Sequence, residues 1–492
     1  MNSAKEVPSE DAPVPFFQGS AIWYLVSTAA AAAMPLAVLP FITRALSPEE
    51  YGAWVLAYAY GSFVSATASV GLPVVYERSY FEEKKAGDRA ALLWTTTAFV
   101  CAALGLATLA TWVWRDPLAV ALMQDHPHPA LLFWTTCAVC AAGVKNYFLV
   151  YLRNTGEARR YALFSLQEAV LGALASVLLV AWWQVGPLGL ALGPLAAAVL
   201  VLVQLAAHFM RRLPLAFAWR PLRDLLVLAF PLLPRVALGV FGQVFDKWLV
   251  GLVAATGGVA AYSIGQRLAY VVFIFSTSLE NVFQPRTYRV MFESPGAGAT
   301  IGRMLTPFVY ATVGVALAVG LAAEEALAVL APASYGGALG VATVLSVYFA
   351  LLFFGKQPQL LYAKKTGLVS ALSSAQVLLG AAAMWFLATR YGAVGAAAGM
   401  ALAGTLMTVA VVLVSQRYYL IVYESSKLAL MYAFLAGALV LVHVMLHDLP
   451  YPVLLAVKIG LLALYAWGGA AFGYWRSLAD YAWPKKMADA RP

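Results

Sequence analysis

Charge is what this 492-residue chain has least of. Asp, Glu, Lys and Arg make up 11% of it, against 62% hydrophobic residues. A soluble domain is nearer a quarter charged and half apolar, so a water-soluble globular protein is excluded. Cysteine is scarce too: Cys101, Cys137 and Cys140 only. Cys137 and Cys140 form a CxxC, but inside the apolar run WTTCAVCAAG, where redox or zinc chemistry would lack accessible thiolates. All three are expected to pack. The five histidines form no compact ligand set, although His443 and His447 stand one helical turn apart, and no metal site is expected. No Gly-x-x-x-x-Gly-Lys-Ser/Thr run occurs, which leaves ATP hydrolysis by this chain unsupported. Long outer loops are missing as well. The longest, about 115–128 and 324–337, have no room for the catalytic acids of a membrane glycosyltransferase, so an enzyme is not expected, and Glu324–Glu325 reads as a solvated helix end. Residues 1–15 lack the basic stretch and cleavage site of a signal peptide, so the first apolar helix is expected to be an uncleaved anchor.

What is present is apolar sequence in runs long enough to cross a bilayer as helices. The expected fold is an all-α polytopic membrane protein of fourteen spans. They fall near 18–44, 51–76, 90–114, 129–152, 161–182, 186–210, 224–254, 258–284, 304–323, 338–362, 368–389, 392–416, 427–447 and 451–475. Pro35 and Pro40 should bend the first span, and Pro231 and Pro234 the seventh. Twenty-three of the 32 lysines and arginines fall on one side of this arrangement; only Arg44, Arg115 and Arg390 fall on the other. That asymmetry over short loops puts both termini in the cytoplasm. It also accounts for the formal net charge of +9: the basic residues line a membrane face and meet anionic lipid, and nucleic acid is not a partner.

The sequence repeats. GVKNYFLVYLRNTGEA (143–158) matches GKQPQLLYAKKTGLV (355–369) at an offset of 211, pairing Lys145 with Lys356 and Gly156 with Gly367. SLQEAVLGA (165–173) resembles SSAQVLLGA (373–381) at an offset of 208, and GPLGLALG (186–193) resembles GAVGAAAG (392–399) at 206. Six spans per copy is an even number, so the copies form a parallel repeat. The expected organisation is one six-helix bundle over 1–212, a second over 213–418, and two further helices with a cytoplasmic tail over 419–492. Transporters built from repeats place the substrate at mid-membrane between them and rock the halves.

Six cations lie within spans: Lys145, Arg235, Lys247, Arg267, Lys356 and Lys458. Lys458 is near a span end, where snorkelling or packing accounts for it. The other five, facing lipid, would cost on the order of 15 kcal/mol at about 3 kcal/mol each. They are expected to face a water-filled cavity instead. Glu168, Asp246 and Glu280 are the buried acids, and Asp246 could pair with Arg235 on the same helix face. Cations therefore exceed anions, and such a cavity favours phosphate or carboxylate. Coupling to a proton or sodium gradient would fall to Glu168, Asp246 or Glu280.

RALSPEEYGAWVLAYA (44–59), FPLLPRVALGVFGQVFDKWLVGLVAATGGVAAYSIGQRLAYVV (230–272) and NVFQPRTYR (281–289) resemble segments of the Wzx-type polysaccharide flippases. These belong to the multidrug/oligosaccharidyl-lipid/polysaccharide (MOP) exporter superfamily. The resemblance implies a V-shaped central cavity, as in the superfamily's MATE transporters, in a bacterial cytoplasmic membrane. It implies carriage of an undecaprenyl-diphosphate-linked oligosaccharide between leaflets, without a cofactor, alongside glycan polymerase or export partners. By matched position, Asp246–Lys247 occupies the family's Asp-basic pair and Arg267 its helix 8 basic position. A lipid II-type flippase and a multidrug cation antiporter share the fold; the positive cavity disfavours the antiporter.

Overall fold

The computed structural model describes residues 20–83, 85–124, 126–230, 233–294, 296–355 and 358–482. Among these there is no strand. The helices in chain order are α1 (Ser20–Ala45), α2 (Pro48–Ala68), α3 (Leu72–Glu82), α4 (Ala86–Val113), α5 (Arg115–Met123), α6 (Pro129–Asn154), α7 (Ala158–Val177), α8 (Gly189–Met210) and α9 (Trp219–Ala229). They continue as α10 (Leu233–Glu293), α11 (Gly298–Leu321), α12 (Ala323–Leu330), α13 (Ala338–Leu351), α14 (Pro358–Tyr362), α15 (Thr366–Gln416), α16 (Ser425–Val440), α17 (Tyr451–Ala471) and α18 (Tyr474–Ala482). Ten helical segments among the described residues are long and apolar enough to cross a membrane. In lipid every backbone polar group needs an internal partner, which helices supply within each segment.

Local sequence explains where helices start, stop and break. α2 opens on a capping box in Ser-Pro-Glu-Glu. The Glu50 amide donates to Ser47 Oγ at 3.2 Å, and the Ser47 amide donates to Glu50 Oε2 at 2.9 Å. α6 closes in a Schellman turn: the Glu157 amide donates to the Leu152 carbonyl at 2.9 Å and the Gly156 amide to Arg153 at 3.1 Å. Gly156 sits at φ 77°, which glycine adopts without steric cost. α10 is interrupted at Ala254–Ala255, with Ala255 at φ 56°, and α15 at Gly392, at φ 57°. These are the joints expected between spans seven and eight and between eleven and twelve. α1 runs unbroken through Pro35 and Pro40. Pro231 lies outside the described residues.

The chain forms two compact units. Unit 1 comprises 1–45, 60–115 and 129–237. Its centre is an aromatic cluster on α3, α6 and α8: Tyr76 against Tyr147 (5.5 Å between ring centres), Phe148 stacked on Phe209 (5.6 Å), and Tyr151 edge-on to Phe209 (5.2 Å). Hydrocarbon provides no hydrophobic drive for helix association, so van der Waals fit of this kind holds the helices together. Each aromatic pair is worth about 0.5–1.5 kcal/mol beyond its area.

Unit 2 comprises 46–59, 116–128 and 238–492. Here α17 docks on α11 through Tyr310 and Tyr465, stacked at 4.4 Å, each hydroxyl donating to the other's backbone carbonyl. The three cysteines are free thiols. Cys140 is buried and Cys137 half-buried, as packing requires, but Cys101 is exposed on α4. An apolar helix surface accommodates a thiol as readily as a core does.

Candidate functional site

The spans hold the charges, and the structure sorts them. In unit 1, α6 presents Lys145, 6% exposed, to Glu168 on α7, and the two form a direct ion pair. Thus Lys145 is neutralised by a carboxylate 23 residues further on. In unit 2, Asp246 on the first half of α10 is 5% exposed and accepts four donors. These are the Lys247 amide (2.9 Å), Lys247 Nζ (2.8 and 2.9 Å), Tyr262 Oη (3.2 Å) and Gln266 Nε2 (2.8 Å). Tyr262 and Gln266, four residues apart on the second half of α10, share one helix face. The aspartate therefore ties the two halves of α10 together across the break at Ala254–Ala255. Lys247 is its counter-ion.

The side chain of Arg235 and the whole of Lys356 lie outside the described residues, as does the expected Asp246–Arg235 pair. Glu280 lines a small depression with Phe273, Ser276, Thr277, Phe283, Leu352 and Phe353. The described residues include no group of His, Cys, Asp and Glu able to hold a metal ion.

Arg267 differs from Lys145, Lys247 and Lys458. It makes no ion pair with a carboxylate among the described residues, and its guanidinium lies over two rings, Trp54 at 5.5 Å and Tyr51 at 5.9 Å. Stacking on ring faces holds a guanidinium with its in-plane N–H donors still free to bond. The platform is itself fixed. Tyr51 packs on Trp54 (5.5 Å) and edge-on to Tyr335 (6.2 Å), whose hydroxyl donates to the Leu46 carbonyl at 3.0 Å. Gly52 lies so close to the Thr256 carbonyl that any Cβ would collide with it. Two of the stretches that carried the family resemblance, 44–59 and 230–272, thus converge on one cation.

Sequence reasoning missed Tyr51, Trp54, Tyr262 and Gln266. Only the spacing of three and four residues within each pair hinted that they share a face. It also misplaced Glu324–Glu325, which do not form a merely solvated helix end. Lys458, 4% exposed in its side chain, donates to Glu324 Oε2 at 3.0 Å and Glu325 Oε1 at 2.8 Å.

The repeat match needs a shift. The turn ending α14 is the same Schellman turn that ends α6: Lys365 amide to Leu360 carbonyl at 2.8 Å, Lys364 amide to Leu361 at 3.0 Å. Its left-handed residue is Lys364, at φ 57°, where α6 has Gly156. The offset is therefore 208, not 211, and Gly367 lies in the first turn of α15. At this offset Lys145 corresponds to Phe353 and Glu168 to Gln376. Gly186 and Gly392, the positions matched at 206, are both left-handed, at φ 72° and 57°.

Ten long apolar helical segments among the described residues, with ion pairs buried between helices, define the class of multi-span membrane proteins. Similarity to solved structures makes the fold specific. The lipid II flippase MurJ in an inward closed conformation is similar over 91% of this chain and 97% of its own, with a TM-score of 0.70 at 11% identity. A MATE transporter in complex with MaL6 covers 83% of this chain and 95% of its own, at a TM-score of 0.52 and 12% identity. A MATE in the straight conformation gives 0.51 and 13% over the same shares. No curated protein matches the sequence. The profile of the family described as "Polysaccharide biosynthesis protein" matches residues 41–339, and the chain belongs to that family.

Proposed function

We propose that the protein carries an undecaprenyl-diphosphate-linked oligosaccharide from the inner to the outer leaflet of a bacterial cytoplasmic membrane, and that Arg267 is the contact for its diphosphate. The observation that carries this reading is the guanidinium mounted on Trp54 and Tyr51, without an ion pair among the described residues. The five-cation lumen expected from sequence contracts accordingly. Lys145 and Lys247 serve as counter-ions of Glu168 and Asp246, while Arg235 and Lys356 keep the anion-binding role proposed for them. The chain works as a carrier, not an enzyme. Its fourteen spans form two six-helix bundles, 1–212 and 213–418, followed by 419–492, with both termini cytoplasmic. The glycan headgroup crosses between the bundles by alternating access while the lipid tail stays in the bilayer. A proton or sodium gradient drives the cycle, with Glu280 as the carboxylate to test first. Glycan polymerase and export machinery would receive the product.

The test is transport of a lipid-linked oligosaccharide in proteoliposomes. Arg267→Ala removes charged hydrogen bonds worth about 1.5–3 kcal/mol, so transport should fall roughly 10- to 100-fold at unchanged thermal stability. Arg267→Lys should recover part of it, because charge returns without the bidentate geometry. Wild-type transport by Arg267→Ala would end the reading. Preference for cationic drugs would replace it with the antiporter, and preference for lipid II with a precursor flippase.

A further inference from the structure

The linker between α8 and α9 has chemistry that carriage of a glycan does not use. Residues 214–218 belong to no helix; Ala218 is extended, its amide donating to Thr95 Oγ1 of α4 at 3.0 Å. Leu215, Phe217 and Trp219 alternate with two small residues along this linker and the start of α9. All three are exposed, at 64%, 63% and 65%, whereas Ala216 and Ala218 between them are half-buried. An apolar strip of this length, ending in tryptophan, suits the boundary between lipid headgroups and acyl chains.

Arginines stand beside the strip. Arg211 and Arg212 end α8 and are exposed. Arg212 Nη1 lies 3.7 Å from Glu157 Oε2, and the same carboxylate oxygen is paired to Arg160 in the first turn of α7. One carboxylate thus serves two guanidiniums, with a third next to them in sequence. Both of the paired arginines keep more than two-fifths of their side chains open, 42% for Arg160 and 47% for Arg212. The α7 amino terminus adds to the positive field: its cap position is Glu157, but no side-chain cap bond is made and the first turn carries no acid. In the topology proposed above, this corner falls on the side with most of the lysines and arginines.

We propose that the corner formed by Arg160, Arg211, Arg212 and the strip Leu215–Trp219 seats the phosphate of an anionic phospholipid. The guanidiniums hold the headgroup, which neutralises the surplus charge, and Phe217 and Trp219 lie against the first acyl carbons. A soluble phosphate would satisfy the arginines but not the strip; a lipid satisfies both.

Native mass spectrometry of the full-length protein in detergent tests this. Phosphatidylglycerol should stay bound in preference to phosphatidylcholine. Arg160→Gln with Arg212→Gln should weaken phosphatidylglycerol roughly 25-fold, at about fivefold per surface charge. Arg160→Lys with Arg212→Lys keeps the charge and should stay within about threefold of wild type, which separates lost attraction from lost fold. Equal retention of the two lipids by the wild type, or full phosphatidylglycerol retention by the Gln variant, overturns the site. So does one-for-one displacement of phosphatidylglycerol by undecaprenyl diphosphate at this corner, which would assign the seat to the carried lipid instead.

Discussion

Two matched places in the chain treat a buried lysine differently. In unit 1, Lys145 faces Glu168 across α6 and α7. In unit 2, at the offset of 208 set by the shared helix-ending turn, the corresponding residues are Phe353 and Gln376. Lysine has become phenylalanine where glutamate has become glutamine: both charges are gone, or both are kept. Phe353 is 8% exposed and packs on Phe283 at 5.0 Å. A buried ion pair and a neutral apolar contact are near-equivalent solutions to joining two helices, since desolvation offsets most of the attraction. Removing one charge alone would leave the other buried without its partner, which is strongly destabilising. The comparison separates a span cation held by a carboxylate, Lys145, from one held by aromatic rings, Arg267.

The comparison breaks most sharply at single substitutions. Lys145→Met strands Glu168 and should destabilise the protein by about 3–5 kcal/mol, measured by thermal unfolding in detergent; an unchanged midpoint would mean the pair contributes nothing. Transplanting the unit 2 residues, Lys145→Phe with Glu168→Gln, should recover most of that loss and end within about 1.5 kcal/mol of wild type. A double variant as unstable as Lys145→Met would show that the two places are not alternatives. The helix-ending turns sharpen the contrast at smaller scale. Gly156→Ala puts a Cβ at φ 77° and should cost about 1 kcal/mol. Lys364→Gly relieves the same strain at φ 57° and should gain somewhat less, up to about 1 kcal/mol. Opposite signs for the two are the expected result; equal signs would deny that the turns are equivalent.

Much of the fold is legible from hydropathy because the bilayer imposes one requirement on every span. The joints at Ala254–Ala255 and Gly392 fall where apolar runs meet small residues, and the capping box of α2 is readable in Ser47-Pro48-Glu49-Glu50. The site is less so. That Lys145 should not face lipid follows from the cost of a bare charge in hydrocarbon, but the sequence pointed to a wet cavity; that Glu168 pairs with it depends on the rotation of α7 about its axis, which no local pattern encodes. Arg267 is visible as a cation on the eighth span, yet its mounting on Tyr51 and Trp54 comes from a segment at the far end of the sequence. The repeat misled by three residues because Thr-Gly recurs by composition, whereas the turn is defined by backbone hydrogen bonds.

Lys458 lies 134 residues downstream of Glu324, on the last long span. Chains are made from the amino terminus, so both glutamates emerge from the ribosome well before their counter-ion exists. Until α17 is inserted, Glu324 and Glu325 on α12 lack the ammonium they share, so this part of unit 2 can reach its final form only when synthesis is nearly finished. A chain stalled or truncated before Tyr451 would therefore present a charged lesion that membrane quality control could recognise, even with every earlier span in place.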